Sequence, residues 1–150
     1  MEISKKLDYA LRMLREVAKA QDGEVVSVRY VSERNDIPYS FARTIQHEMV
    51  KAGLLATTRG PHGGMQLAVD AQATTLLDVV EAIEGPMVIV GVTMDGVDDG
   101  SSCFAPVWEG LARIMRDFLG SVTLHQLVVE DLVPTVAQDM RFDLVKAPSA

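Results

Sequence analysis

Residues 27–69, SVRYVSERNDIPYSFARTIQHEMVKAGLLATTRGPHGGMQLAV, decide the fold of this chain. Ser27 suits the cap of a short helix over 28–35, because its hydroxyl can accept a hydrogen bond from a free amide of the first turn. Pro38 disfavours a helical conformation in the residue before it and suits the first turn of a new helix. That second helix is predicted over 39–52. The stretch therefore begins with two helices that are joined by a tight turn.

The second predicted helix has one apolar and one polar face, and Gly53 ends it in the left-handed conformation that glycine adopts without a Cβ penalty. Apolar residues at three- and four-residue spacing predict a core-facing stripe, which consists of Phe41, Ala42, Ile45, Met49 and Val50. The opposite face is rich in hydrogen-bond donors and has no acidic residue; it consists of Ser40, Arg43, Thr44, His47 and Lys51. Such side chains suit the base edges and phosphates of a major groove. A solvated surface is the alternative for this face alone.

Two β-prone runs, residues 54–58 and 65–69, flank a glycine-rich segment and predict a hairpin. The segment consists of Arg59, Gly60, Pro61, His62, Gly63 and Gly64. An arginine at the tip of a hairpin can enter a minor groove, where the potential is most negative. A nucleotide-binding phosphate loop is excluded, because that motif needs Gly-Lys-Ser/Thr and a following helix. The stretch predicts a mainly α fold with a small β-hairpin wing, a winged helix-turn-helix.

Charge is unevenly distributed along the chain, whose net charge is −7. Residues 1–66 hold ten basic and eight acidic residues, a charge of +2, and residues 67–150 hold four and thirteen, a charge of −9. A local field matters more than the total charge for docking on phosphate. The positive half coincides with the predicted DNA-binding elements, where Lys5 and Lys6 could also touch phosphates. An acidic solubilising surface is the alternative explanation of the second half.

The composition excludes several classes of protein. The length of 150 residues fits one domain with an extension, and no long apolar run predicts a membrane span. No signal peptide is recognisable at the N-terminus. The one cysteine, Cys103, excludes an intrachain disulfide and fits a reducing cytoplasm, which is the expected location. No catalytic arrangement of Ser, His and Asp or of paired carboxylates stands out, so we predict no enzyme activity.

The remaining elements are predicted from periodicity and capping residues. Helices are expected over 3–20, after Thr75, over 107–120 and over 124–132, and residues 87–92 are expected as one short strand or a buried extended segment. The chain then divides into four parts. They are the DNA-binding domain 1–86, a sensor-region loop 87–106, dimerisation helices 107–133 and a C-terminal extension 134–150.

Five segments carry a resemblance to a known family. They are YA at 9–10, VSER at 31–34, KAGLL at 51–55, RGPHGG at 59–64 and LDVVEAIEGP at 77–86. Over about residues 1–130 the chain resembles the Rrf2 winged-helix regulators. The resemblance implies a homodimeric, sequence-specific DNA-binding regulator, a repressor, with a palindromic operator. Ser40, Arg43, Thr44 and His47 are expected near the bases. Arg59 is expected in the flanking minor groove, and the Gly60, Gly63 and Gly64 amides near phosphate.

The resemblance also implies that the helix over 107–120 crosses its twin in a symmetric dimer. The expected contact residues are Trp108, Leu111, Ile114, Met115, Phe118 and Leu119. Packing of this helix on the first helix of its own chain is the alternative. Family members often have a glutamate at the position of Arg43, so their operator sequences do not transfer to this chain.

The signal to which the protein responds is left open by the sequence. Many family members hold an iron–sulfur cluster with three cysteines, but one thiolate per chain cannot hold a conventional cluster, because the irons need about four protein ligands. We therefore expect no cofactor and no metal. Three hypotheses remain: a small-molecule effector or partner protein near the dimer helix, a thiol switch at Cys103, or an unusual cluster in which Cys103 joins Asp8, His47 or His125. A dimeric ligand-sensing or protein-interaction module without DNA binding is the alternative function.

Overall fold

The computed structural model describes residues 3–20, 24–86, 88–89, 92–93 and 104–128. The elements in these ranges are α1 Lys5–Ala18, α2 Val28–Arg34, α3 Tyr39–Lys51, β1 Leu55–Thr58, β2 Gly64–Leu67, α4 Leu76–Glu84, β3 Val88–Ile89, β4 Val92–Thr93, α5 Ala105–Gly120 and α6 Leu124–Val128. The fold is mainly helical, and β1 and β2 form an antiparallel hairpin. The predicted fold class is therefore confirmed.

Polar side chains cap the helices where the sequence predicts it. The Ser27 hydroxyl accepts a hydrogen bond from the Tyr30 amide at 3.1 Å and starts α2. At the start of α4 the capping box is complete, because the Asp78 amide donates to Thr75 Oγ1 at 3.2 Å and the Thr75 amide donates to Asp78 Oδ2 at 2.8 Å. Such reciprocal caps satisfy two otherwise free donors and fix where a helix begins.

One apolar core joins α1, α3, α4 and the base of the hairpin. The largest fully buried side chains are Met13, Leu14, Val31, Ile45, Met49, Leu55, Met65 and Val79. The spacing of apolar residues in the first helix predicts that Leu7, Leu11, Leu14, Val17 and Ala18 line one side. This prediction is only partly right. Ala10 and Met13 are fully buried, while Leu11 and Ala18 are half-buried. At about 100° per residue, Ala10 and Met13 lie on the opposite side of Leu14 from Leu11 and Ala18, and the side of Ala10 and Met13 faces the core.

Residues 88–93 differ from the single strand that the sequence predicts. Val88 pairs with Thr93 and Ile89 pairs with Val92, in an antiparallel ladder of two very short strands. The prediction treated the run as one element, because the pattern of a short apolar run does not distinguish one extended segment from two paired strands.

The second half of the chain packs against the first. Helix α5 packs on α4, and α6 packs on α1. The segment between α5 and α6 lies beside the start of α4, where the Leu76 amide donates to the Val122 carbonyl at 2.8 Å and the Leu124 amide donates to the Thr74 carbonyl at 2.9 Å. Helix α5 begins at Ala105, two residues before its predicted start. The predictions for Cys103 and for residues 129–150 lie outside the described residues. No helix in the described ranges is long and apolar enough to cross a membrane.

Candidate nucleic-acid interface

The turn between α2 and α3 is fixed by two hydrogen bonds. The Ser32 hydroxyl, only 5% exposed, donates to the Ile37 carbonyl at 2.7 Å, and the Ile37 amide donates to the Ser32 carbonyl at 2.9 Å. Asp36 has a φ of 52°, a left-handed conformation in which Asp is better tolerated than most side chains. These contacts hold α2 and α3 at a set angle. No separate signal in the sequence indicates the role of Ser32.

The two faces of α3 are separated as predicted. Ala42, Ile45 and Met49 are fully buried, and Phe41 and Val50 are half-buried. Ser40, Arg43, Thr44, His47 and Lys51 are all exposed on the other side. Within the described part of the chain, Arg43 and Lys51 form no ion pair, so both cations are available to an external anion.

The wing presents its cationic residue to solvent. Arg59, Pro61 and His62 are exposed between β1 and β2, and Arg59 has no ion-pair partner among the residues that the structure describes. Backbone conformation and close packing favour glycine at positions 60 and 63. Gly60 has a φ of 117°, and a Cβ on Gly63 would lie 2.1 Å from the Thr58 carbonyl oxygen.

The amide of Gly63 is already engaged inside the wing. It donates to the Gly60 carbonyl at 3.0 Å, so it closes the turn instead of pointing towards a ligand. A Cβ on Gly64 would lie 2.8 Å from the Val26 carbonyl oxygen, because Val26 forms a β-bridge with Met65 at the base of the wing. The structure therefore explains Gly63 and Gly64 by close backbone approach, which the sequence analysis did not foresee.

Contacts between α1 and α3 bear on the N-terminal lysines. Lys6 Nζ lies 3.4 Å from Glu48 Oε2 on α3, while Lys5 is exposed. The Tyr9 and Phe41 rings meet edge to face with centroids 5.6 Å apart. Lys6 thus has a partner inside the protein, so of the two lysines only Lys5 remains as a candidate phosphate contact.

One pair at the α2–α3 junction was missed by the sequence analysis. The guanidinium carbon of Arg29 lies 4.7 Å from the centroid of the Tyr39 ring, and both side chains are exposed. Arg29 is the second residue of α2 and Tyr39 is the first residue of α3. The only signal in the sequence is an arginine ten positions before an aromatic residue. That spacing predicts a contact between the two side chains only when the angle between α2 and α3 is known.

Helix α5 leaves an apolar face uncovered in the described part of the chain. Phe104 just before the helix, Val107, Leu111 and Phe118 are 62%, 59%, 41% and 37% exposed. With the half-buried Ile114 they recur at alternating spacings of three and four residues. We call Val107, Leu111, Ile114 and Phe118 the α5 apolar face.

The α5 apolar face overlaps only partly with the predicted dimer contacts. Leu111, Ile114 and Phe118 belong to both sets. Trp108, Met115 and Leu119 are half-buried on other sides of the helix, and Val107 belongs to the α5 apolar face alone. Periodicity located an apolar helix, but only the packing on α4 decides which of its sides stays uncovered.

The residues considered as ligands for an unusual cluster are dispersed. Asp8 forms an ion pair with Arg12, with 2.8 Å between Oδ2 and Nη2. His47 lies on the outer face of α3. The position of His125 at the start of a predicted helix indicates an exposed side chain, but it is half-buried in α6. The reason is local, because its amide donates to the Ala71 carbonyl at 2.9 Å and holds the start of α6 against that loop. Among the described residues no three His, Cys, Asp or Glu side chains are grouped to hold a metal ion.

A helix-turn-helix with available cations on its second helix, followed by a hairpin with an exposed arginine, defines a winged helix-turn-helix DNA-binding protein. The Rrf2 family, described as "Iron-dependent Transcriptional regulator", matches residues 3–130. The chain belongs to this family of DNA-binding transcriptional regulators. The interpretation of the chain as a regulator and not an enzyme is thereby confirmed.

Named relatives span nearly the whole chain. The HTH-type transcriptional regulator IscR of Cereibacter sphaeroides is 31% identical over 152 residues, which cover 97% of this chain and 98% of the relative. IscR of Vibrio campbellii is 28% identical over 148 residues, with coverages of 96% and 87%. The solved structure of CymR, the global cysteine regulator of B. subtilis, superimposes with a TM-score of 0.75 at 25% identity, covering 87% of this chain and 98% of that one.

The donor set of this chain does not fit a conventional iron–sulfur cluster, although the family description refers to iron. The sequence has one cysteine, and a cluster needs about four protein ligands. Asp8 is engaged with Arg12, and His47 lies on the polar face of α3. The residues present therefore do not supply the ligands of a conventional iron–sulfur cluster.

Proposed function

We propose that the protein is a homodimeric repressor that binds a palindromic operator and responds to a small-molecule or redox signal. The observation that carries the proposal is the exposed, acid-free outer face of α3 beside an exposed arginine of the wing. Cations without internal partners can bind the phosphate backbone of DNA and release its counterions. This counterion release is the main source of affinity that does not depend on sequence.

The outer face of α3 enters the major groove in this proposal. Ser40, Arg43, Thr44 and His47 lie nearest the bases, and Arg59 enters the flanking minor groove. Arginine makes its commonest specific base contact with guanine, through two hydrogen bonds to O6 and N7. The Thr44 hydroxyl donates to the Ser40 carbonyl at 3.2 Å, so in this conformation it faces DNA as an acceptor.

A second copy of the chain covers the α5 apolar face in this proposal. Its alternating three- and four-residue spacing is the pattern with which two helices pack along a shared seam. Complete burial of a fully exposed apolar side chain contributes about 1.5–3 kcal/mol, and each of these partly exposed side chains contributes in proportion to the area that the contact removes from water. A two-fold dimer predicts inverted half-sites whose centres are separated by a multiple of about 10 base pairs.

The signal acts without a conventional cluster in this proposal. A small-molecule effector or partner protein near the junction of the core with α5 is one route, and oxidation of the Cys103 thiol is the other. The two routes are separated by a Cys103→Ser variant. Loss of the response to oxidant in that variant supports the thiol route, and an unchanged response excludes it.

The net charge of −7 favours a second candidate function, a ligand-sensing or protein-interaction module that does not bind DNA. The two functions differ in their salt dependence. A DNA-binding protein loses affinity for duplex DNA steeply and log-linearly as salt rises. A ligand-sensing or protein-interaction module that lacks DNA binding shows no affinity for duplex DNA at any salt concentration.

The experiment that tests the proposal compares Arg59→Ala with Arg113→Ala on a duplex enriched from a random library by the wild-type protein. Arg59 is on the wing and Arg113 is exposed on α5, so each variant removes one exposed guanidinium. Arg59→Ala should weaken binding by about 1–3 kcal/mol, whereas Arg113→Ala should not. Equal affinities of the two variants at matched salt would remove Arg59 from the interface.

A further inference from the structure

Arg29 and Tyr39 connect the two helices of the helix-turn-helix by a contact between a guanidinium and an aromatic ring. The Arg29 guanidinium carbon lies 4.7 Å from the centroid of the Tyr39 ring. A cation within about 6 Å of a ring centroid is attracted by the negative face of the ring. Arg29 belongs to the first turn of α2 and Tyr39 to the first turn of α3, so the contact lies where the two helices begin.

The N–H donors of Arg29 have no acceptor in the described part of the chain. Other arginines nearby are paired: Arg34 Nε lies 3.2 Å from Glu16 Oε2, and Arg12 pairs with Asp8. Glu33, one helical turn after Arg29, forms no ion pair with it there. Arg29 is thus exposed, with its guanidinium over the Tyr39 ring and its five donors open to an external acceptor.

Stacking prepares a guanidinium for a phosphate. A guanidinium that lies over a ring still has N–H donors along its edge, because all five lie in the plane of the group. Two of these donors can bind two oxygens of one phosphate at once. A side chain that is already held against a ring loses less conformational entropy on binding than a mobile one. A stacked arginine with free donors is therefore suited to a polyanion.

The position of the pair identifies that polyanion. In helix-turn-helix proteins the first helix of the motif crosses the DNA backbone, while the N-terminal residues of the second helix approach the bases. Tyr39 immediately precedes Ser40, the first residue of the outer face of α3. We propose that Arg29, stacked on Tyr39, binds a phosphate of the DNA backbone beside the major groove that α3 enters. This inference rests on the proposed DNA-binding function.

A purely structural role for the pair gives a different expectation. If Arg29 only ties α2 to α3, its loss disturbs the placement of α3 and weakens specific binding, but it leaves the number of phosphate contacts unchanged. The salt dependence of binding counts those contacts, since each phosphate contact contributes about 0.9 to the slope of log K against log salt concentration. That slope separates the two roles.

The test uses the full chain and two probes, a mixed-sequence duplex of about 30 base pairs and a duplex that the wild-type protein enriches from a random library. The variants are Arg29→Ala, Arg29→Lys and Tyr39→Phe, with Arg113→Ala as a control that removes an exposed guanidinium from α5. Binding is measured by fluorescence anisotropy over a range of salt concentrations. Thermal unfolding followed by circular dichroism establishes that each variant is folded.

We expect Arg29→Ala to weaken binding to both duplexes by a factor on the order of ten, and to lower the salt slope by about 1 per protomer. Arg29→Lys keeps the charge without the planar fork, so it should retain the slope and lose part of the affinity. Tyr39→Phe keeps the ring and should bind as the wild type does. The Arg113→Ala control should retain both the affinity and the slope.

Two results would overturn the assignment of Arg29. One is an unchanged salt slope in Arg29→Ala, which would leave the pair as a structural tie. The other is a loss in Tyr39→Phe as large as in Arg29→Ala, which would assign the phosphate contact to the tyrosine hydroxyl. If the wild-type protein binds and Arg59→Ala weakens it while Arg29→Ala does not, only this inference fails. If the wild-type protein binds neither duplex, the proposed function itself fails.

Discussion

Helices α3 and α5 each leave one face uncovered in the described structure, and the two faces have opposite chemistry. The outer face of α3 carries two cations, two hydroxyls and a histidine, with no acidic residue. The α5 apolar face exposes a phenylalanine, a valine and a leucine. Water solvates the first face at little cost, whereas the second keeps apolar area in contact with water, which is unfavourable.

The difference teaches that two amphipathic helices of similar length can require different partners. Both helices are anchored by an apolar stripe on their inner side, so amphipathicity alone does not distinguish them. The polarity of the uncovered face does. A cationic face without acidic residues is complementary to a polyanion, and an apolar face with three- and four-residue spacing is complementary to a second apolar helix.

The largest effect is expected when a charge is placed on the α5 apolar face. Leu111→Asp should yield a monomer at concentrations where the wild type is a dimer, because burying an unpaired carboxylate in the contact costs about 3 kcal/mol or more. Operator affinity should fall with the dimer. Sedimentation velocity measures the oligomeric state. Arg113→Asp, a charge change on another side of the same helix, is the control and should remain dimeric. A dimeric Leu111→Asp protein would refute the role of this face.

A smaller effect is expected when the wing is overpacked. Gly63→Ala places a Cβ 2.1 Å from the Thr58 carbonyl oxygen, and backbone atoms cannot move aside cheaply. The free energy of unfolding should fall by about 1–3 kcal/mol. Thermal or urea unfolding measures this change.

The matched control for the wing is Gly110→Ala in α5. A Cβ at Gly110 meets nothing within 4 Å, and alanine is favoured over glycine in a helix interior, so this variant should be more stable by about 0.5–1 kcal/mol. A Gly63→Ala protein that is as stable as the wild type would mean that the wing backbone is not held as described.

Arg43→Ala is expected to change specificity more than overall affinity. Loss of a two-hydrogen-bond contact to a base should reduce discrimination at one operator position by about 1–3 kcal/mol. Binding to duplexes that carry each base at each operator position measures this change. Lys51→Ala, at the end of the same face, should weaken binding evenly across sequences. An unchanged specificity profile in Arg43→Ala would place Arg43 away from the bases.

The smallest effect is expected for Lys6, which lies beside Glu48 of α3. Lys6 Nζ lies 3.4 Å from Glu48 Oε2, and both side chains are substantially exposed, so Lys6→Ala should change the free energy of unfolding by less than about 1 kcal/mol. Because this amine has a partner in the protein, the salt slope of DNA binding should stay at the wild-type value. A slope that falls by about 1 per protomer would show that Lys6 exchanges Glu48 for a phosphate.

The sequence predicted the elements around the interface well because their signals are local. Pro38, Gly53 and the wing glycines each restrict the backbone at their own position, and the separation of polar and apolar residues on α3 follows from its period. The structure supports the separation of the two α3 faces. Contacts to DNA remain predictions, since they depend on a partner.

The features that the sequence did not predict depend on how elements pack. Arg29 and Tyr39 meet because of the angle between α2 and α3, which the Ser32–Ile37 hydrogen bonds hold. Periodicity marked α5 as apolar, but its contact with α4 decides that Trp108 is half-buried while Val107 is exposed. Contacts and exposures of this kind depend on residues that are distant in sequence, so a local sequence pattern does not predict them.

The most direct test of the central claim is a selection of duplex DNA from a random library by the purified protein, followed by sequencing of the enriched pool. In the proposed dimer a two-fold axis beside α5 relates the outer α3 faces of the two protomers. This symmetry predicts an enriched motif of two inverted half-sites whose centres lie a multiple of about 10 base pairs apart. Enrichment of no sequence, or of a motif without two-fold symmetry, would contradict the account of a dimer that binds DNA through α3 and the wing.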